Sequence, residues 1–192
     1  MEGRRPDGTA VYVPPVQPER PLRMAYADPP YIGQSKKHYS DHPDYAGEVD
    51  HQELIDRLCR DYPDGWALSL SSPTLREILD MIPKEIDYRV MAWVKPFAAF
   101  KRNVRVAYAW EPVIVVPAER LDGATPTRDF VSCPITMKRG LTGAKPDAFC
   151  FWLFEAMGLR RSDHLDDLFP GSGAVAEAWR RWTATPTLME TA

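Results

Sequence analysis

Asp28, Pro29, Pro30 and Tyr31 form a run whose groups can hold an amino group on a flat heterocycle. A carboxylate accepts a hydrogen bond from an amine, a proline carbonyl is free to accept another, and a tyrosine ring stacks on a planar ligand. That set suits the exocyclic amine of a nucleobase drawn out of its stack. The run follows an apolar segment, Leu22 to Ala27, which reads as a buried strand. Two prolines end it, because neither can donate a ladder hydrogen bond. Each also holds the residue before it out of the helical region. The expected product is a stiff turn at the C-terminal end of a strand, where open α/β sheets bind ligands.

A second chemical stretch runs from Asp163 through His164, Leu165, Asp166, Asp167, Leu168, Phe169 and Pro170 to Gly171, Ser172 and Gly173. It reads as a strand feeding a glycine turn and then a helix. Glycine lets backbone approach a ligand closely, and a helix N-terminus favours an acceptor. An acid at the strand end can bind an amine or a hydroxyl. Asp166 and Asp167 are adjacent and face opposite sides of a strand, so either can be that acid.

The elements that must position these residues read in order along the chain. Residues 1–20 carry prolines and charges without period and read as a flexible arm, residues 21–183 as one domain, and residues 184–192 as a flexible tail. After the Pro-Pro turn comes a polar loop, residues 32–49. Asp50, with Glu53 three residues on, predicts the start of a helix over 51–61. Strands are expected at 66–70, 88–94, 112–116, 130–132 and 165–168, and helices at 74–81, 147–157 and 174–182. The opening order of strand, helix, strand, helix, strand predicts a parallel sheet with right-handed crossovers.

Composition narrows the class. The 192 residues are 44% hydrophobic, in runs too short to span a membrane. The N-terminal stretch has no apolar signal core, so a cytoplasmic, intracellular setting is expected. Three widely spaced cysteines, Cys59, Cys133 and Cys150, suit neither a disulfide framework nor a zinc ribbon, and no metal is expected. A net charge of -3 gives no global basic field, so any nucleic-acid binding must rest on a local patch.

Together the motifs resemble the amino-group DNA methyltransferases, the adenine-N6 or cytosine-N4 kind that uses S-adenosylmethionine (SAM). Asp28-Pro29-Pro30-Tyr31 matches the catalytic tetrapeptide of that family. The stretch from Asp167 to Gly173 resembles its cofactor turn, and Lys145-Pro146 with Phe149 resembles the segment that closes over the cofactor. Trp93-Val94-Lys95-Pro96 and Trp110-Glu111-Pro112 resemble its middle strands. The matches span about Leu22 to Trp182, with the tetrapeptide first, which is the permuted order of the family's beta group.

The resemblance implies a Rossmann-like three-layer α/β sandwich with a mostly parallel sheet. It implies direct methyl transfer to a flipped base, adenine favoured over cytosine, with no metal. Asp28, Pro29, Pro30 and Tyr31 would be catalytic: Asp28 and the Pro29 carbonyl accept from the amine, and Tyr31 stacks on the base. Cofactor binding would fall to Ala27, Asp28, Lys145, Pro146, Asp167, Phe169, Gly171 and Gly173. The motif register favours Asp167 over Asp166.

Beyond the glycine turn the family has a further strand, ending in an acid that holds the cofactor ribose, and another strand after it. Here Gly173 is followed by one helix, whose Glu177 is not at the ribose position, and a polar tail. The sheet is therefore expected to be trimmed on that side, with the 165–168 strand at or near an edge. A second copy of the chain, a partner subunit or the N-terminal arm would cover that edge. DNA is the expected partner, with RNA as an alternative, and nothing points to a membrane. Lys95, Lys101, Arg102 and Arg105, interleaved with Phe97, Phe100, Tyr108 and Trp110, make a candidate nucleic-acid surface. Trp110 is expected to tuck under the sheet. Lys36, Lys37 and His38 adjoin the catalytic turn, and Lys138 and Arg139 are candidates to join them. The alternative to an enzyme is a nucleic-acid-binding or partner subunit that retains the fold with reduced catalysis.

Overall fold

The computed structural model of the protein describes residues 3–4, 10–11, 20–32, 49–96, 105–119, 126–135 and 144–184. A short antiparallel ladder pairs β1 (Gly3–Arg4) with β2 (Ala10–Val11). Then come β3 (Arg23–Ala27), α1 (His51–Asp61), β4 (Trp66–Ser69), a 3-10 turn at Ser72–Thr74 and α2 (Leu75–Met81). They are followed by β5 (Arg89–Val94), β6 (Trp110–Val116), β7 (Phe130–Ser132), α3 (Asp147–Met157), β8 (His164–Asp167) and α4 (Ala174–Ala184). Asp50 caps α1 as its sequence predicts, its carboxylate accepting from the Glu53 N–H at 3.0 Å.

Six strands form one sheet in the order β7-β5-β6-β4-β3-β8. β3 runs parallel to β4 on one side and to β8 on the other. β6 is antiparallel to both β4 and β5, so those two share a direction, and β7 is parallel to β5. Only β6 is reversed, and the sheet is mostly parallel. The alternation of strands and helices places β5 next to β4, but β6 lies between them. The reason is the run Val113, Ile114 and Val115, whose side chains are all essentially fully buried. A strand apolar on both faces is stable only where both faces are covered, which means inside the sheet. β8, by contrast, pairs with β3 alone among the described strands, at the edge expected of it.

Side-chain alternation divides the core into two layers. Met24, Tyr26, Ala67, Met91, Trp93, Val113 and Val115 face α3 and α4. Ala25, Ala27, Trp66, Leu68 and Ile114 face α1 and α2. The α3 helix buries Phe149, Cys150, Trp152, Leu153, Phe154 and Met157, so apolar residues nearly encircle it. That suits a helix enclosed by the sheet on one side and by α4 and loops on others. With five strands aligned, the C-terminal ends of β3, β4, β5, β7 and β8 share one rim, joined by the first residues of β6.

Gly65 closes the turn between α1 and β4. Its φ is +136°, and a Cβ there would meet the Met24 side chain and lie 2.7 Å from the Val116 carbonyl oxygen. Gly65→Ala therefore combines backbone strain with overpacking beneath the central strands. It is expected to lower unfolding free energy by about 3 kcal/mol, read as a reduced urea midpoint at unchanged slope.

Candidate active site

Asp28 leaves the end of β3, and Pro29 and Pro30 hold the chain extended beyond it. Lys145 lies just before α3, and its ammonium reaches the Asp28 carboxylate at 2.7 Å. The lysine side chain is 7% exposed and the aspartate side chain 22%. Beneath the ammonium lie the Trp93 and Phe149 rings, with centroids 5.4 and 5.8 Å away. Those rings contact each other at 5.0 Å between centroids, so the cation sits over a packed aromatic floor. Burial alone would depress the Lys145 pKa, but the charges of Asp28 and Glu111 and the hydrogen bond to Asp28 outweigh it and raise it. Lys145 is thus a cation at neutral pH.

A second carboxylate closes the other side of Tyr31. The Tyr31 hydroxyl donates to Glu111 Oε2 at 3.2 Å, and Glu111 Oε1 pairs with the Lys95 ammonium. Lys95 also lies over the Trp93 ring, 4.5 Å from its centroid. The register sets Glu111 opposite Trp93, which brings these residues together from two strands. Lys95, expected to face nucleic acid, is 17% exposed and has its charge engaged within this cluster.

The two acids of β8 part ways. Asp166 accepts from Arg23 at 2.6 and 2.9 Å and from the Tyr62 hydroxyl at 2.9 Å. Burial pushes its carboxyl up, but the hydrogen bonds from Tyr62 and Arg23 outweigh it and hold it below the usual range. Asp167 faces the other way, toward Asp28 and Lys145. One of its oxygens accepts from the Phe169 N–H at 3.3 Å, and the other, Oδ2, is buried without a partner among the described residues. Burial, with the negative charge of Asp28, raises the Asp167 carboxyl above its ordinary value. The glycine turn follows, with Gly171 at φ +44° and Gly173 at φ +72°. A Cβ on Gly173 would meet nothing within 4 Å, so conformation demands the glycine and open space lies outside the turn. α4 starts immediately after, with the Glu177 N–H donating to the Gly173 carbonyl at 3.0 Å.

Asp28, Pro29, Pro30, Tyr31, Lys145, Pro146, Asp167, Phe169, Gly171 and Gly173 thus gather on the rim, together with Ala27 at the buried end of β3. Arg105 is exposed on the approach to β6. Lys36, Lys37, His38, Lys101, Arg102, Lys138 and Arg139 lie outside the described residues, as do Phe97 and Phe100. Glu111 and Trp93 fall in stretches that the sequence matched only as strands; strand register is what brings them to Lys95 and Lys145. Trp110 does not tuck under the sheet; it is 39% exposed. Among the described residues no group of histidines, cysteines and acids could hold a metal ion, and no helix is long and apolar enough to cross a membrane.

A mostly parallel sheet with one reversed strand, helices on both faces and acids along its C-terminal rim has the Rossmann-like methyltransferase fold. Two solved structures match over 85% of the chain. One is the M1.HpyAVI–SAM complex, at 16% identity with a TM-score of 0.56 over 79% of that chain. The other is M1.HpyAVI itself, at 18% identity with a TM-score of 0.53 over 78% of that chain. No family model and no curated protein matches the sequence.

Removing the lysine would leave the partly buried Asp28 carboxylate without its ion-pair partner. Lys145→Met is expected to cost about 3 kcal/mol at pH 7, in the range for breaking one partner of a buried pair. Because the folded-state lysine pKa is raised, this difference should persist from neutral pH up to its ordinary 10.5. The part of it that the raised pKa contributes should be lost as pH rises through the raised value. Urea titrations of both proteins from pH 7 to 12 read this directly.

Proposed function

We propose that the protein is a SAM-dependent DNA methyltransferase that methylates an exocyclic amino nitrogen of a flipped base, with adenine N6 favoured. The observation that carries this reading is the rim itself. One carboxylate, Asp28, stands at a proline-stiffened strand end, and a second, Asp167, keeps a buried oxygen without a partner among the described residues, beside an open glycine turn. An orphaned buried acceptor is costly and marks a place for a ligand donor. The fold match to a protein solved with SAM supports the choice of cofactor.

The residues present fit that cofactor. Asp167 and the turn through Phe169, Gly171 and Gly173 would hold it, with Ala27, Asp28, Lys145 and Pro146 alongside. When bound, SAM supplies an electrophilic methyl group on a sulfonium, so no metal is needed. The chain's own residues do the rest. Asp28 and the Pro29 carbonyl accept hydrogen bonds from the target amine and favour the positive charge that develops on nitrogen. Tyr31, anchored through its hydroxyl to Glu111, presents its ring to the base. Lys145 holds the Asp28 carboxylate in place as an acceptor, so Asp28 acts as an orienting and electrostatic group, and the proton of the methylated nitrogen is released to solvent after transfer. Pro29 and Pro30 limit backbone motion where alignment matters most.

A second reading, a nucleic-acid-binding or partner subunit with reduced catalysis, is favoured by one feature: β8, which carries Asp167, pairs with β3 alone among the described strands. Asp28→Ala separates the two. The methyltransferase reading expects transfer of labelled methyl from SAM to unmethylated DNA to fall at least about 100-fold, in the range for losing a transition-state hydrogen-bond partner. Asp28→Ala also strips Lys145 of its counter-charge and lowers stability, so the fold is read by circular dichroism well below the variant's melting temperature, where it and DNA retention should be kept. Full activity in Asp28→Ala would overturn the assignment, and transfer to RNA in place of DNA would move the substrate class.

Asp167 gives an independent test. Its folded-state carboxyl is raised, so the fold disfavours the ionised form, and stability falls as pH rises through the carboxyl's titration. Asp167→Asn removes that penalty and is expected to raise the melting temperature at pH 7. SAM affinity by calorimetry should drop by about 10- to 100-fold, the value of a hydrogen bond to a charged group. Lower stability with unchanged SAM affinity would exclude Asp167 as a ligand.

A further inference from the structure

Trp110 and Glu111 are neighbours at the start of β6, and their side chains leave opposite faces of the sheet. Glu111 shares its face with Val113 and Val115, on the α3 side, where it meets Tyr31 and Lys95. Trp110 shares its face with Ile114, on the α2 side. There it lines a cleft of about 320 Å³ with Ser72, Val106, Ala107 and Tyr108. The site and the cleft are therefore separated only by the rim, one residue apart along β6.

The lining is unusual for a surface. Val106, Tyr108 and Trp110 are 76%, 44% and 39% exposed, and they are half of the large exposed hydrophobics among the described residues. No acid lines the cleft. Arg105, exposed, immediately precedes Val106 in the chain, and Glu111, the carboxylate next to Trp110, is already paired with Lys95. The volume is at the small end of the roughly 300–1,000 Å³ of ligand sites, which suits a single planar heterocycle.

We infer that this cleft is a second base-binding site, taking an unpaired base of the DNA strand next to the target nucleotide. The inference rests on the methyltransferase reading above, in which the target base lies on the α3 side of the rim. A strand whose target base enters there crosses the rim at Glu111, and its next base meets the Trp110 and Tyr108 rings. Stacking on an aromatic ring tolerates any base, and a guanidinium beside it neutralises the connecting phosphate. Such a site grips unpaired strand without reading sequence.

The test measures fluorescence anisotropy of a labelled single-stranded DNA oligonucleotide and of an abasic strand of equal length. Trp110→Ala and Tyr108→Ala are each expected to weaken binding of the oligonucleotide about 5- to 150-fold, the range for one base on one ring. Trp110→Phe should restore most of the affinity. Binding of the abasic strand should be unchanged in all three. Equal weakening toward both strands, or no weakening toward either, would overturn the inference. SAM affinity by calorimetry is expected to be unchanged, which shows the fold intact. If wild-type protein binds SAM and shows Asp28-dependent transfer while both ring variants bind DNA normally, this inference fails and the methyltransferase reading stands. If wild-type binds neither SAM nor DNA, both fail.

Discussion

The ion pair between Lys145 and Asp28 is the contact on which the rest of the rim depends. An ammonium 7% exposed and set over two aromatic rings is tolerable only with a counter-charge at hydrogen-bonding distance, and Asp28 supplies it at 2.7 Å. The pair ties the end of β3 to the start of α3, two points far apart in sequence. It also fixes which way the carboxylate faces. The aromatic floor of Trp93 and Phe149, and with it the α3 side of the core, is the surface that this charge pair closes.

The charges near it do not balance. Two acids, Asp28 and Asp167, share the influence of one buried lysine, and the lysine sits on Asp28. Among the described residues Asp167 is left with a single backbone donor and an oxygen that has none. A few ångströms along the same strand, Asp166 is fully engaged by Arg23 and Tyr62. Adjacent aspartates on one strand thus sit in opposite electrostatic environments, one satisfied and one not, which is the feature the proposed ligand site rests on.

The reversed strand β6 contributes in two ways. Its continuous apolar run completes the interior of the sheet, which no surface strand of that composition can do. Its first residues reach the rim from the opposite direction, so Glu111 meets Tyr31 and Lys95 while Trp110 opens toward Ser72. One strand thereby serves the core at one end and both sides of the rim at the other.

The sequence by itself determined the elements and the motifs. Prolines at 29 and 30 stop β3, Asp50 caps α1, and Gly171 and Gly173 take positive φ, because these depend on local sterics and local hydrogen bonds. The edge position of β8 among the described strands was legible through its motif. Tertiary structure alone decided where β6 inserts, because strand order depends on which faces must be covered and not on the order along the chain. It also decided that Lys95 pairs with Glu111, that Trp110 stays exposed, and that Lys145 reaches Asp28. Those outcomes depend on strand register and on competition among charges for the few partners within reach, and neither is written in the spacing of residues along a chain.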